Sequence, residues 1–286
     1  MATIIQGTKP RLRMGKDEDG TPFYYDVTTR NVSFLQCASD LKKLGIKNNA
    51  FFLKLYDRSL VGVDPFSSSL TAEQINRINV ECTLNPYYFI RECARIPSQG
   101  GATGPGSGDM FTLHRGNLAA VFCFFNCIDF YLVIPRQCFK TGSVLSLFLW
   151  AFLFGTANSL FNFSNKTQTD ADDNLDKLKK QKEVLPIFMQ QRFKFVEDTF
   201  KPGEWKMEKG LDNVRRITNP QNKNTINSKP SARTLQAADT IGRGNSAPLQ
   251  YYDEVEFTDY IGTILKASGP RRHVGPLVVI LGQKTF

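Results

Sequence analysis

The chain has 286 residues, enough for one large domain or two smaller ones with an ample core. Hydrophobic residues make up 41% and charged residues 22%, an ordinary globular balance that excludes a disordered or collagen-like chain. Six cysteines without a C-x-x-C pair and only two histidines argue against a zinc site, and the net charge of +9 suits work beside a polyanion such as nucleic acid or nucleotide.

Residues 1–20 are polar and basic and read as a flexible arm, without the apolar core of a signal peptide. From Phe23, FYYDV, a turn-like TTRN and VSFLQC predict a small hairpin. A helix over SDLKKLG follows, with Ser39 as N-cap and Gly45 as terminator. Thr71 with Gln74 makes a capping box that opens a helix over TAEQINRINVEC. Asn85-Pro86 interrupts, and YYFIRECARI continues as an amphipathic helix with Tyr88, Ile90, Cys93 and Ile96 inside. Residues 21–97 therefore read as a small, mainly helical N-terminal subdomain. Residues 98–110, rich in Gly and Ser, read as a loop; no strand precedes it and no lysine follows, so it is not a phosphate loop.

The chemistry lies in residues 111–270. A helix over LAAVFCFFNC leads to FYLVI (130–134), five apolar residues short enough for one buried strand. A loop with Arg136, Gln137, Lys140 and Thr141 follows, and then the apolar run Val144 to Phe154. Strand, Lys-Thr loop and helix is how a phosphate site is built. Backbone N–H groups and the helix N-terminus face the anion, the lysine adds charge, and the hydroxyl holds Mg²⁺. Thr141 to Asn165 contains 25 residues without a charge, long enough for a membrane span, but Gly155, Asn158, Asn162 and Asn165 favour a buried helix. SLFNFSN (159–165) reads as the next strand. DADDNLDKLKKQKEVL (170–185) reads as a helix whose acidic first turn and basic later turns complement its dipole, with Leu175, Leu178 and Leu185 inside. Residues 190–235 are polar and basic and include a hairpin about Asn219-Pro220. Leu249 to Tyr252 forms a short strand ending in Asp253 and Glu254, with Gly242-Arg243-Gly244 ahead of it. The cysteines read as buried, reduced thiols.

A strand ending in two carboxylates, paired with a strand ending in a Lys-Thr loop, is the minimum set for hydrolysis of a nucleoside triphosphate. Asp253 and Thr141 would hold the Mg²⁺ shell, Glu254 would polarise the attacking water, and Lys140 would neutralise phosphate charge. Arg136 or Arg243 would stabilise the transferring phosphoryl group.

PRQCFKT (135–141), followed by GRGNSAPLQYYDE (242–254), resembles the ATPase domain of the large terminase subunit of tailed bacteriophages. Arg136, Gln137, Lys140 and Thr141 match its phosphate loop, Asp253 and Glu254 its hydrolytic pair, and Arg243, Gly244 and Asn245 the turn ahead of that strand. LHRGN (113–117) sits where the family's adenine-recognition element lies, with Asn117 in place of a glutamine. The resemblance covers roughly 82–270 and implies an α/β fold: a RecA-like, additional-strand P-loop NTPase with a mainly parallel central sheet flanked by helices. It implies ATP and Mg²⁺ as cofactors, with Asn117, Arg136, Gln137, Lys140 and Thr141 on the nucleotide. It also implies a motor that drives double-stranded DNA into a prohead in the host cytoplasm. Its partners would be the portal protein, the small terminase subunit and further copies in a homo-oligomeric ring, with no membrane involved.

Two departures stand out. Phe139 occupies a position where the family has a small residue, and a bulky side chain is awkward where backbone approaches phosphate. Residues 271–286, RRHVGPLVVILGQKTF, hold no acidic residue and leave the family pattern, so they read as an atypical tail, with no nuclease activity expected from this chain. The alternatives are a catalytically impaired terminase fragment acting in assembly, and another nucleic-acid-dependent translocase.

Overall fold

The computed structural model describes residues 14–97, 104–134, 140–191, 195–197, 205–207, 212–232, 234–238, 247–257, 259–268 and 277–283. They fall into two units: one built from residues up to Cys93 with Thr112–His114, the other from Ala94–Phe111 and from Arg115 onward.

In the first unit β1 (Met14–Lys16) and β3 (Lys54–Leu55) flank β2 (Pro22–Tyr25) in an antiparallel three-stranded sheet. VSFLQC, expected as the second strand of a hairpin, instead begins helix α1 (Val32–Lys43). Helical spacing prevails there: Phe34 and Cys37 are both buried, whereas strand alternation would send them to opposite faces. The N-cap is accordingly Asn31 rather than Ser39, while Gly45, at φ +76°, follows the helix end as expected. Helix α2 (Ala72–Leu84) carries the capping box: Thr71 Oγ1 accepts from the Gln74 N–H at 3.2 Å, and Gln74 Oε1 accepts from the Thr71 N–H at 2.9 Å. Pro86 then opens α3 (Pro86–Tyr88), and the expected amphipathic helix gives way to a π-helical turn, Phe89–Cys93. Tyr88, Ile90 and Cys93 are buried and Ile96 is half-buried. Arg91 has no exposed side-chain surface; it donates to the Phe52 carbonyl and to Glu92, each at 2.8 Å, and lies 3.6 Å from Asp26, so its buried charge is compensated.

In the second unit β4 (Arg95–Ile96) and β5 (Asp109–Met110) pair across the glycine-rich stretch. Then come α4 (Arg115–Phe125), β6 (Phe130–Ile134), α5 (Lys140–Trp150) with a π-helical extension (Ala151–Gly155), β7 (Leu160–Asn165), α6 (Gln168–Glu183) and α7 (Ile187–Gln191). A separate ribbon pairs β8 (Phe195–Glu197) with β9 (Trp205–Met207). The remaining elements are β10 (Asp212–Asn213), β11 (Arg216–Thr218), β12 (Thr225–Pro230), β13 (Leu249–Tyr252), α8 (Ile261–Ser268) and β14 (Leu277–Gln283).

Seven strands form one sheet in the order β10-β11-β12-β7-β13-β14-β6. The strands from β12 to β6 are parallel, whereas β10 and β11 add antiparallel pairs at one edge, so the sheet is mixed. The expected hairpin about Asn219-Pro220 is β11–β12. β14 comes from the stretch read as an atypical tail, yet it pairs with β13 on one side and β6 on the other. Its run LVVILGQ has the continuous apolar character of an interior parallel strand.

β6 lies at the sheet edge, and its Tyr131 and Val133 are 55% and 45% exposed, where the apolar run predicts burial. On one face Phe148 of α5 packs against the rings of Phe161, Phe163, Tyr251 and Phe124. A second cluster gathers Ala232, Ala238, Tyr252, Val255 and Ile264 of α8. Burial of Val144 to Leu149 accounts for the uncharged run, and no described helix is long and apolar enough to cross a membrane. Cys37, Cys82 and Cys93 are buried; Cys127 is exposed, contrary to expectation, because it follows the end of α4 in a turn. Cys138 lies outside the described residues.

Candidate functional site

β7 and β13 run parallel with Ser164 beside Tyr252, and one step on the Asp253 N–H donates to the Ser164 carbonyl at 3.0 Å. Asp253 and Glu254 therefore sit at the carboxyl ends of the parallel strands, the edge at which open α/β sheets bind ligands. Asp253 is only 6% exposed. Its Oδ2 accepts from the Tyr251 hydroxyl at 2.9 Å and from Asn174 Nδ2 at 3.1 Å, and its Oδ1 accepts from the Glu254 N–H at 3.0 Å. Tyr251 reaches it because residues two apart on a strand share a face. The Thr141 side chain, in the first turn of α5, lies near the same phenol. Burial, reinforced by the Asp253 charge, pushes the Tyr251 phenol well above its ordinary range, so it remains a donor at neutral pH.

Helix α6 spans this arrangement. Asn174, Leu178 and Gln181 recur at helical spacing and are all buried. Asn174 holds Asp253, while Gln181 Nε2 donates to the Gly142 carbonyl at 2.9 Å, which also accepts from Ser146 Oγ at 3.0 Å. One helix thus grips both the start of α5 and the carboxylate beyond β13. Sequence reasoning gives the inner face of α6 to leucines and overlooks both amides, because in so charged a helix they read as solvated. Their spacing about Leu178 is the signal that marks them.

Glu254 has φ +53°, a left-handed conformation that costs a non-glycine residue about 1–3 kcal/mol and clusters at functional positions. Its Oε2 lies 2.8 Å from Lys166 Nζ, whose ammonium stands 5.3 Å from the centre of the Phe257 ring. Lys166 is also overlooked by sequence reasoning; nothing in its own neighbourhood points to Glu254. Asn117, on α4, is 3% exposed and donates to Ser143 Oγ at 3.4 Å. α5 begins at Lys140, and Arg136, Gln137, Phe139, Arg243, Gly244 and Asn245 lie outside the described residues.

The candidate metal donors are the buried Asp253 carboxylate and the Thr141 hydroxyl. Among the described residues no group of three or more His, Cys, Asp or Glu could hold a metal ion. Such a sparse set fits Mg²⁺, which keeps several waters and takes one or two carboxylates together with substrate phosphates. It does not fit a dedicated zinc cage.

The chain is thus an α/β protein with a mixed sheet and a polar, hydrogen-bonded cluster at the carboxyl ends of its parallel strands. No protein-family model and no curated protein matches it. Among solved structures it is similar to the large terminase ATPase domain of Thermus phage P74-26, at TM-score 0.35 and 13% identity over 55% of this chain and 60% of that one. It is also similar to the large terminase of a thermophilic bacteriophage, at TM-score 0.39 and 13% identity over 59% of this chain and 38% of that one. The chain therefore spans less than two thirds of either structure, and a likeness this loose assigns no activity.

Proposed function

We propose that this chain binds ATP with Mg²⁺ and hydrolyses it as the ATPase of a phage DNA-packaging motor. The observation that carries the reading is the double hold of α6: Asn174 donates to Asp253 Oδ2 at 3.1 Å and Gln181 to the carbonyl of Gly142, the residue after Thr141, at 2.9 Å. The helix start that carries Thr141 and the carboxylate of Asp253 come from distant segments, yet one helix ties both at the carboxyl ends of the parallel strands. The start of α5 adds backbone N–H groups that lack an intrahelical partner and the positive end of a helix dipole, which suit phosphate.

In this reading Glu254 accepts the proton of the attacking water, and Lys140 offsets phosphate charge. Bound Mg²⁺ would supply electrostatic stabilisation of the phosphates. Arg136, Gln137 and Asn117 would complete the nucleotide contacts, and Arg136 or Arg243 would stabilise the phosphoryl group during transfer. The interposed strand β14 supports the additional-strand P-loop class. The net charge of +9 and the match of PRQCFKT and GRGNSAPLQYYDE support translocation of double-stranded DNA, with a portal protein, a small terminase subunit and a homo-oligomeric ring as partners on the prohead.

The test is ATP turnover by the full chain and by Glu254→Gln, each with DNA and portal present. Loss of a positioned base should lower turnover by about a hundredfold or more while leaving nucleotide-dependent thermal stabilisation in place. A wild-type chain without turnover under these conditions would sink the motor reading and leave an assembly role.

A further inference from the structure

We propose that Asn174 and Tyr251 are positioning residues that hold the Asp253 carboxylate in the orientation a divalent cation requires. This rests on the ATPase reading. Two side-chain donors from different elements converge on one oxygen, Oδ2, while Oδ1 takes a backbone N–H. A carboxylate held by three donors cannot turn about its Cβ–Cγ bond without breaking them, and at 6% exposure little water is at hand to replace them.

Both donors are themselves fixed. The Tyr251 ring is fully buried, 5.6 Å from the Phe148 ring and 5.2 Å from that of Phe163. Asn174 is held by α6, whose Gln181 is tied to the Gly142 carbonyl. Each residue type is specific to the task. A leucine in place of Asn174 would fill similar space and remove a donor from Oδ2. A phenylalanine in place of Tyr251 would keep the ring and remove the 2.9 Å hydrogen bond to Oδ2. An aspartate in place of Asn174 would set a second buried carboxylate against the first. Partners that orient a metal ligand commonly change metal affinity by 10- to 100-fold.

The experiment uses the full chain and reads melting temperature at fixed ATP across a Mg²⁺ titration, and again with EDTA. In Asn174→Leu and Tyr251→Phe the Mg²⁺ concentration giving half the stabilisation should rise about tenfold or more, with the ATP effect in EDTA unchanged. Asn174→Gln, which keeps an amide donor, should recover part of the loss. An unshifted Mg²⁺ midpoint in Tyr251→Phe overturns the proposal, even where Asn174→Leu does not fold. A wild-type chain with no Mg²⁺-dependent stabilisation overturns the ATPase reading, and the positioning role falls with it.

Discussion

Lys54 pairs with one oxygen of Asp17, and the Tyr56 hydroxyl donates to the other at 2.6 Å. Burial pulls the Asp17 carboxyl upward, but the hydrogen bonds from Lys54 and Tyr56 and the Lys54 charge outweigh it and hold the group below its ordinary range. A carboxyl depressed in this way contributes stability above its unfolded pKa of about 3.9 and loses it as pH falls through the folded value. Lys54→Met should therefore lower the urea midpoint of the first unit at neutral pH, with the difference from wild type shrinking as pH drops below about 4. A difference that persists unchanged in acid would show that Lys54 acts through its packing on the Phe23 ring, 4.4 Å away. At this scale the sequence is most legible where chemistry occupies neighbouring letters. Asp253 and Glu254 are adjacent at a strand end, and Thr141 follows a lysine before an apolar run. Asn174 and Lys166 carry no such mark, because each acquires its role from a partner far away in the chain.

The end of α5 illustrates the next scale. Its π-helical extension leaves carbonyls that need donors, and three asparagines around the β11–β12 turn supply them. Asn219 Nδ2 reaches the Phe152 carbonyl at 3.2 Å, Asn222 the same oxygen at 2.9 Å, and Asn224 the Thr156 carbonyl at 2.8 Å. Asn224 is fully buried, and its Oδ1 also accepts from the Ser159 N–H at 3.0 Å, so one side chain serves the helix end and the entry to β7. Asn224→Ala should cost about 1–3 kcal/mol in urea denaturation, since the buried groups it leaves behind lose their partners. A loss under about 0.5 kcal/mol would mean that water replaces the amide. Caps and turns of this kind are partly legible: Thr71 with Gln74 and Asn219-Pro220 are local signals. VSFLQC is not, because a short run of mixed apolar residues fits a strand or a helix until burial of Phe34 and Cys37 selects the helix.

For the molecule as a whole, the segment that most changes the sequence reading is β14. Residues 271–286 depart from the family pattern, yet Leu277–Gln283 stands between the strand that precedes the Lys-Thr helix and the strand that ends in Asp253. Removing residues 271–286 should therefore unpair β13 and β6 along one side each and abolish cooperative thermal unfolding of the second unit. A truncated chain with an unchanged, cooperative melt would show that these residues are dispensable to the fold. The sequence alone was sufficient for the strand over 130–134, the strand that ends before Asp253 and Glu254 and the main helices of the second unit, because those depend on periodicity and neighbouring residues. It was not sufficient for strand order, for the edge position of β6 or for the grip of α6 on Asp253. These follow from the free energy of pairing segments far apart in the chain, and no local pattern encodes which distant partner satisfies a given hydrogen bond.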